Sequence, residues 1–219
     1  MKYFIFSIDD GTIYDRQVSE IFSKYNIKAT FNLNSGLQHY VWYKDNRPVE
    51  RLDLVQNKDV YVNHEVASHS FTHPYLTGCS DEQVYSEAKV DIDNLSYIFN
   101  RDIVTFAFPF DNYDDRTISI IRSIKPIKLI RISCLDDSFK LPSDRYHIKA
   151  TSWDIDDALD KFNRFVEDDS AELFIFVAHS YDFEFANTYD KLERLCELVT
   201  SRSDIKIIPM SGLIDLIKE

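Results

Sequence analysis

The chain has 219 residues, which suits one moderately large domain. Hydrophobic residues make up 44% of it, with 16 Phe and 13 Tyr, enough to fill a sizeable core. A net charge of −12 opposes nucleic acid and anionic membrane surfaces; it leaves a neutral or cationic substrate, or simply keeps the chain in solution. Cys79, Cys134 and Cys196 are widely spaced and odd in number, so they make neither a Cys-x-x-Cys metal pair nor a disulfide framework. No apolar run approaches the length of a membrane span. The first apolar stretch ends at Ile8 and gives way to Asp9-Asp10, unlike a signal peptide. The expectation is a cytoplasmic chain, unless an export signal has been removed upstream.

Short apolar runs rich in β-formers predict strands over 3–8, 29–33, 60–62, 103–108, 127–132, 146–149, 173–178 and 205–208. Between the first two, Val18, Ile21, Phe22 and Tyr25 fall at i, i+3, i+4 and i+7, one face of a helix. Ser80 followed by Gln83 is a capping-box start for a helix whose Val84, Ala88, Leu95 and Phe99 face inward. Further helices are predicted over 117–124, 158–166 and 189–199, with a short terminal one over 213–217. Repeated strand–helix alternation argues for a mainly parallel α/β sheet with helices outside it. With only four glycines and no Gly/Ser/Pro-rich stretch there is no linker, so one domain is expected. In α/β barrels functional groups gather on the loops after the strands' C-terminal ends.

Asp9-Asp10-Gly11 sits at such an end. If the strand continued, the two carboxylates would point to opposite sides and could do different jobs; a simple turn uses the same residues. A phosphatase with an Asp-x-Asp nucleophile is excluded, because Ile8 stands two before Asp10. His69 and His73 have the i, i+4 spacing that brings two rings to one side of a helical turn. Two imidazoles and one carboxylate give a divalent metal three ligands and an open position, and the second carboxylate is then free to act as a base. His64 and Glu65 suit groups that orient the ligands, or surface and cap roles. His179 follows the apolar run Leu173-Phe174-Ile175-Phe176-Val177-Ala178. There it can protonate a leaving group or serve as a hydrogen-bonded core histidine. His39 and His147 have no partners in sequence, and Trp153-Asp154-Ile155-Asp156-Asp157 reads as a solvated helix start.

These stretches resemble the polysaccharide deacetylases, the NodB-homology proteins of carbohydrate esterase family 4. The resemblance rests on Phe6-Ser7-Ile8-Asp9-Asp10-Gly11, Lys28-Ala29-Thr30-Phe31 with Gly36 beyond, the block from Glu65 through His69 and His73 to Leu76, Phe106-Ala107-Phe108-Pro109-Phe110, and Phe176-Val177-Ala178-His179-Ser180-Tyr181, in family order. It implies a distorted (β/α)7 barrel over residues 1–219 that acts on an acetylated glycan. It also implies a divalent metal on Asp10, His69 and His73, with Asp9 as catalytic base and His179 as catalytic acid. Zinc comes first, and cobalt, nickel or iron fit the same donors. The family's third motif is Arg-x-Pro-x-Gly, where a backbone N–H beside the proline helps hold the oxyanion. Here it reads Ala107-Phe108-Pro109-Phe110-Asp111, so the arginine that braces the base and the glycine are both missing, while the Phe110 N–H is retained. The fourth motif is loosely echoed by Trp153-Asp154.

The expected reaction is metal-dependent hydrolysis of N-acetyl groups. Amide cleavage needs His179 because an amide anion is a very poor leaving group. An O-acetyl esterase is the nearest alternative. A barrel that binds acetylated glycan without turnover is the alternative of another class, motivated by the missing arginine and opposed by intact Asp9 and His179. Trp42, Tyr43, Tyr75, Trp153 and Tyr181 could stack on sugar faces or fill the core.

Overall fold

The computed structural model describes residues 1–217. Its strands are β1 (Lys2–Asp9), β2 (Thr30–Leu33), β3 (Val41–Lys44), β4 (Arg47–Glu50), β5 (Glu65–Ser68), β6 (Thr105–Ala107), β7 (Leu129–Leu135), β8 (Ile148–Ala150), β9 (Leu173–His179) and β10 (Ile205–Ile207). The helices are α1 (Asp15–Lys24), α2 (Asp81–Phe99), α3 (Asp115–Arg122), α4 (Ile155–Glu167), α5 (Ser180–Ala186) and α6 (Tyr189–Thr200).

Among the described residues, seven parallel strands follow one another in the order β9-β1-β2-β5-β6-β7-β8. The circle closes through a single bridge from Ser152 to Phe176. There the Thr151 N–H donates to Ile175 O at 2.8 Å and the Val177 N–H to Ser152 O at 2.9 Å. This is the distorted α/β barrel expected, with β8–β9 as its weak seam. β10 pairs only with the first residues of β1, Lys2 to Phe4.

Alternation along β1 sorts its side chains. Phe4, Phe6 and Ile8 pack outward under the helices, with Phe6 and Phe22 at 5.0 Å between ring centroids. Ile5 belongs to a second cluster with Ile175, Val177, Met210 and Leu213, which fills the lower barrel. Above it lies a polar layer in which Glu65 accepts from Thr30 at 2.8 Å, Thr105 at 2.9 Å and the Ser211 N–H at 3.0 Å. Glu65 therefore ties strands together and does not orient the histidines. His64 is likewise in the core, its ring between Phe22 and Phe31, and burial lowers it to about 4.

The capping box at Ser80 forms as expected, with the Ser80 N–H on Gln83 Oε1 at 2.9 Å and the Gln83 N–H on Ser80 Oγ at 3.3 Å. Two local expectations change, and two elements come unannounced. Residues 60–62 are no strand; Lys58–Tyr61 is a 3-10 turn packed against α1, and the ladder begins at Glu65. An apolar run of three fits a buried turn as well as a strand. The terminal helix over 213–217 is replaced by a 3-10 turn, Met210–Leu213, directly after Pro209. The β3–β4 hairpin and α5 carry no strong sequence signal. The hairpin turns at Asp45 and Asn46, both at positive φ (51° and 60°), residue types that tolerate this region without the usual glycine.

Candidate active site

At the end of β1 the chain leaves the strand. Asp9 keeps the inward direction set by alternation, while Asp10 has φ of 85° and Gly11 of 69°. The turn brings both carboxylates, buried, to one cavity instead of to opposite sides of a sheet. The cavity encloses about 750 Å³ and is lined by Asp9, Asp10, His69, His73 and His179, with Trp42, Phe110, Trp153 and Tyr181 among its aromatic walls.

His69 and His73 meet without a helix. They lie in the loop after β5, where Ser70 and His73 take φ of 66° and 56°. Such non-glycine positions each cost on the order of 1–3 kcal/mol and persist only when their surroundings hold them. Here Asn34 donates to His69 O at 2.5 Å and Ser70 O at 2.7 Å, and the His73 N–H donates to Ser70 Oγ at 3.1 Å. The spacing of the pair is thus right for a shared site, but the helical turn expected from it is absent.

The three candidate ligand atoms lie within 4.8 Å of one another. Asp10 Oδ1 is 3.3 Å from His73 Nε2 and 3.8 Å from His69 Nε2, and the two Nε2 atoms are 3.2 Å apart. His69 Nδ1 lies 2.8 Å from Ala107 O, which can only accept, so the proton sits on Nδ1 and the Nε2 lone pair faces the cluster. Burial lowers the pKa of His69, and it lowers that of His73 to about 3 with the adjacent His69 adding to the effect, which favours the neutral form of both rings. Burial raises Asp10, but Arg51 and the three histidines outweigh it and hold the carboxyl well below the usual range. Asp10 Oδ1 is buried and accepts no hydrogen bond, although Arg51 Nη2 lies 3.2 Å away. A buried carboxylate oxygen facing two imidazole nitrogens fits a divalent cation.

Asp9 is held differently. One nitrogen of Arg131, Nη2, donates to Oδ1 at 2.8 Å and to Oδ2 at 2.6 Å, and Asn32 donates to Oδ1 at 2.6 Å. Arg131 is fully buried and is in register with Ala107 on the neighbouring strand. Asp9 is therefore braced from β7, beside position 107. Sequence reasoning missed it, although a lone arginine inside Leu129-Ile130-Arg131-Ile132 was a usable signal, because a charge in a buried strand requires a partner.

His179 ends β9, with Nε2 3.9 Å from Asp10 Oδ2 and Nδ1 3.0 Å from Asp182 Oδ2. Burial opposes its charged form, but Asp182 and the carboxylates of Asp10 and Asp9 outweigh this and raise its pKa above 6.5. Asp182, one turn into α5, also accepts from Lys44 Nζ on β3 at 2.5 Å. Asp154, the loose echo of the fourth motif, instead caps α4 by accepting the Asp156 and Asp157 N–H groups at 2.9 and 3.0 Å. Trp153 does line the cavity, 6.3 Å from the His179 ring. Phe110 lies on the turn after β6 at φ of 57°, with Asp111 at 54° where a glycine was expected, and its ring is 4.3 Å from that of His73. Arg51 and Tyr181 were also not anticipated as polar partners: Arg51 bonds Asp10 O and Asn34 Oδ1, and the Tyr181 hydroxyl is 3.2 Å from Asp10 Oδ2. His39 and His147 pair with Asp53 and Asp144 outside the cavity lining.

Residues 1–125 match the family described as polysaccharide deacetylase. The chain is similar to the crystal structure of the CE4 domain of a multidomain xylanase from the hindgut metagenome of Trinervitermes trinervoides. The identity is 18%, covering 98% of this chain and 90% of that one, with a TM-score of 0.66. A family 4 acetyl xylan esterase from Clostridium thermocellum, in complex with cobalt, is 15% identical over 98% of this chain and 91% of that one, TM-score 0.66. A CE4 family pseudoenzyme from Bacillus anthracis is 20% identical over 100% and 67%, TM-score 0.67. At these identities the structural likeness is one of fold. No curated protein matches the chain.

Proposed function

The chain belongs to the polysaccharide deacetylase family, and from that premise we propose that it is a metal-dependent hydrolase removing N-acetyl groups from an amino-sugar glycan. The observation that carries this reading is the braced carboxylate of Asp9 beside the Asp10–His69–His73 cluster, with the paired His179 lining the same cavity. A divalent ion held by Asp10, His69 and His73 would polarise the acetyl carbonyl and acidify the attacking water. Zinc suits the two nitrogens and one oxygen, and cobalt, nickel or iron are compatible with the same set.

Asp9 takes the proton of the attacking water. Its bonds to Arg131 and Asn32 fix the carboxylate and leave its free lone pairs for that proton. As charge builds on the acetyl oxygen, the Phe110 N–H offers it a hydrogen bond. His179 protonates the departing nitrogen, with Asp182 holding Nδ1–H so that Nε2 faces the cavity. Water exclusion by Trp42, Trp153 and Tyr181 strengthens each of these interactions.

The binding-only reading drew its force from the missing arginine; the buried Arg131–Asp9 pair supports the reading with turnover instead. The test is acetate release from N-acetylated chito-oligosaccharides after metal stripping, with and without added zinc. Zinc-dependent release is expected; release only from O-acetylated xylan would favour the esterase alternative. Binding without release from either would favour a glycan-binding barrel.

A further inference from the structure

Of the five aromatics that the sequence offers for sugar stacking, Trp42 and Tyr181 contact each other, with ring centroids at 5.6 Å. Arg51 covers Trp42 at 4.7 Å, and Arg131 lies 5.2 Å from the Trp153 ring. These rings are built into the centre. Tyr43 alternates with Trp42 along β3 and so faces away from it. Tyr75 is different. Its ring stacks on Phe110 at 4.3 Å and 13° between planes, yet Tyr75 is 61% and Phe110 52% exposed. Phe110 in turn touches His73 at 4.3 Å, so the rings run in series from the candidate metal centre outward.

Two large apolar rings held in water lose the gain from burial, and Phe110 also sits in a left-handed backbone conformation. Exposed apolar patches joined to a cleft mark binding surfaces. This patch is only two rings wide, far smaller than the roughly 800 Å² per side of a stable protein interface. It is flat, and it is continuous through Phe110 with the cavity that would receive the glycan. A pyranose ring presents a C–H face of matching size and flatness.

We propose that Tyr75, backed by Phe110, is a subsite for a pyranose residue of the same glycan chain, flanking the sugar that is deacetylated. This rests on the function proposed above. Tyr75 stacks on the Phe110 ring and is neither ligand, acid nor base, so its contribution is to hold longer substrates.

The test compares wild type, Tyr75→Ala and Tyr75→Phe on N-acetylated chito-oligosaccharides of two to six units and on an aryl acetate, with zinc content and Tm as controls. Tyr75→Ala should lose about tenfold in kcat/KM on the longest oligomer, through KM, and little on the dimer or the aryl acetate. Tyr75→Phe should behave as wild type. Equal loss at all lengths, or none, would overturn the subsite. Calorimetric binding of the hexamer reads the same subsite without turnover: weaker binding by Tyr75→Ala supports it, and unchanged binding, or no binding by wild type, overturns it. Absence of acetate release from wild type that still binds the hexamer would overturn the deacetylase reading alone.

Discussion

The guanidinium of Arg131 and the carboxylate of Asp9 form a fully buried pair, one nitrogen lying 2.8 and 2.6 Å from the two oxygens. Arg131 is the register partner of Ala107 on the β6–β7 ladder, the position at which the sequence resemblance would place an arginine. Parallel register partners project to the same side of a sheet, so a guanidinium on either strand can reach the same carboxylate. A brace from β7 therefore sits at the same level as one from position 107 would.

Replacing Arg131 with methionine leaves Asp9 as a buried charge without its partner. Breaking such a pair costs about 3–5 kcal/mol of stability, and loss of a group that positions a reacting residue lowers activity by roughly 10–100-fold. The double variant Ala107→Arg/Arg131→Ala should regain part of both, since it returns the charge to the neighbouring strand. Denaturant unfolding and kcat/KM on one substrate read the two effects; a double variant worse than Arg131→Ala in both would show that strand level is not what matters.

His179→Ala should cripple acetate release from an N-acetylated sugar far more than from an aryl acetate, with metal content unchanged. An amide leaves only as its protonated amine, whereas an aryl oxide is a stable anion. Equal losses on both substrates would place His179 in binding or oxyanion stabilisation, and loss of metal would make it a ligand. Asp182→Asn should show a weaker form of the same bias, because it removes the partner 3.0 Å from Nδ1.

Arg51 brings a fixed positive charge to 3.2 Å from Asp10 Oδ1, the oxygen that would also bind the cation. Arg51→Gln should therefore bind zinc more tightly than wild type, by about tenfold or more in a chelator-competition titration, and Arg51→Lys much less so. Weaker zinc binding by Arg51→Gln would mean that the guanidinium orients the ligand more than it competes.

Asp91 offers a test by pH. Burial raises it to about 7 from 3.8, although bonds from Ser35 and Ser68 pull the other way. The folded state thus holds a proton that the unfolded chain gives up, so this contribution is complete below about pH 4 and is lost as pH rises through 7. Asp91→Asn lacks that loss. Its Tm relative to wild type should rise between pH 4 and pH 7, and a pH-independent difference would contradict the assignment.

Much of this was legible in sequence. Strand–helix alternation gave the parallel α/β architecture, the family resemblance its barrel form, and Asp9-Asp10 with His69 and His73 the residues that meet in the cavity. What escaped was the means of meeting. Positive φ at Asp10, Ser70 and His73 depends on distant holders such as Asn34 and Asn32, which local spacing does not encode. Arg131 and Asp182 escaped for a related reason: each partner of Asp9 or His179 lies away from the motif position to which the resemblance points. The hairpin carrying Trp42 and Lys44 lacks the Asn-Gly turn that would have announced it.

The division of labour between the two adjacent carboxylates is the centre of the account. The direct measurement is zinc stoichiometry together with turnover for Asp9→Asn and Asp10→Asn, with His73→Ala as a ligand control. Asp9→Asn should retain one zinc per chain and lose turnover by roughly a hundred- to ten-thousandfold, while Asp10→Asn and His73→Ala lose the metal and keep the fold. Zinc lost from Asp9→Asn but retained by Asp10→Asn would exchange the two roles, and stoichiometric zinc in His73→Ala would contradict the metal centre itself.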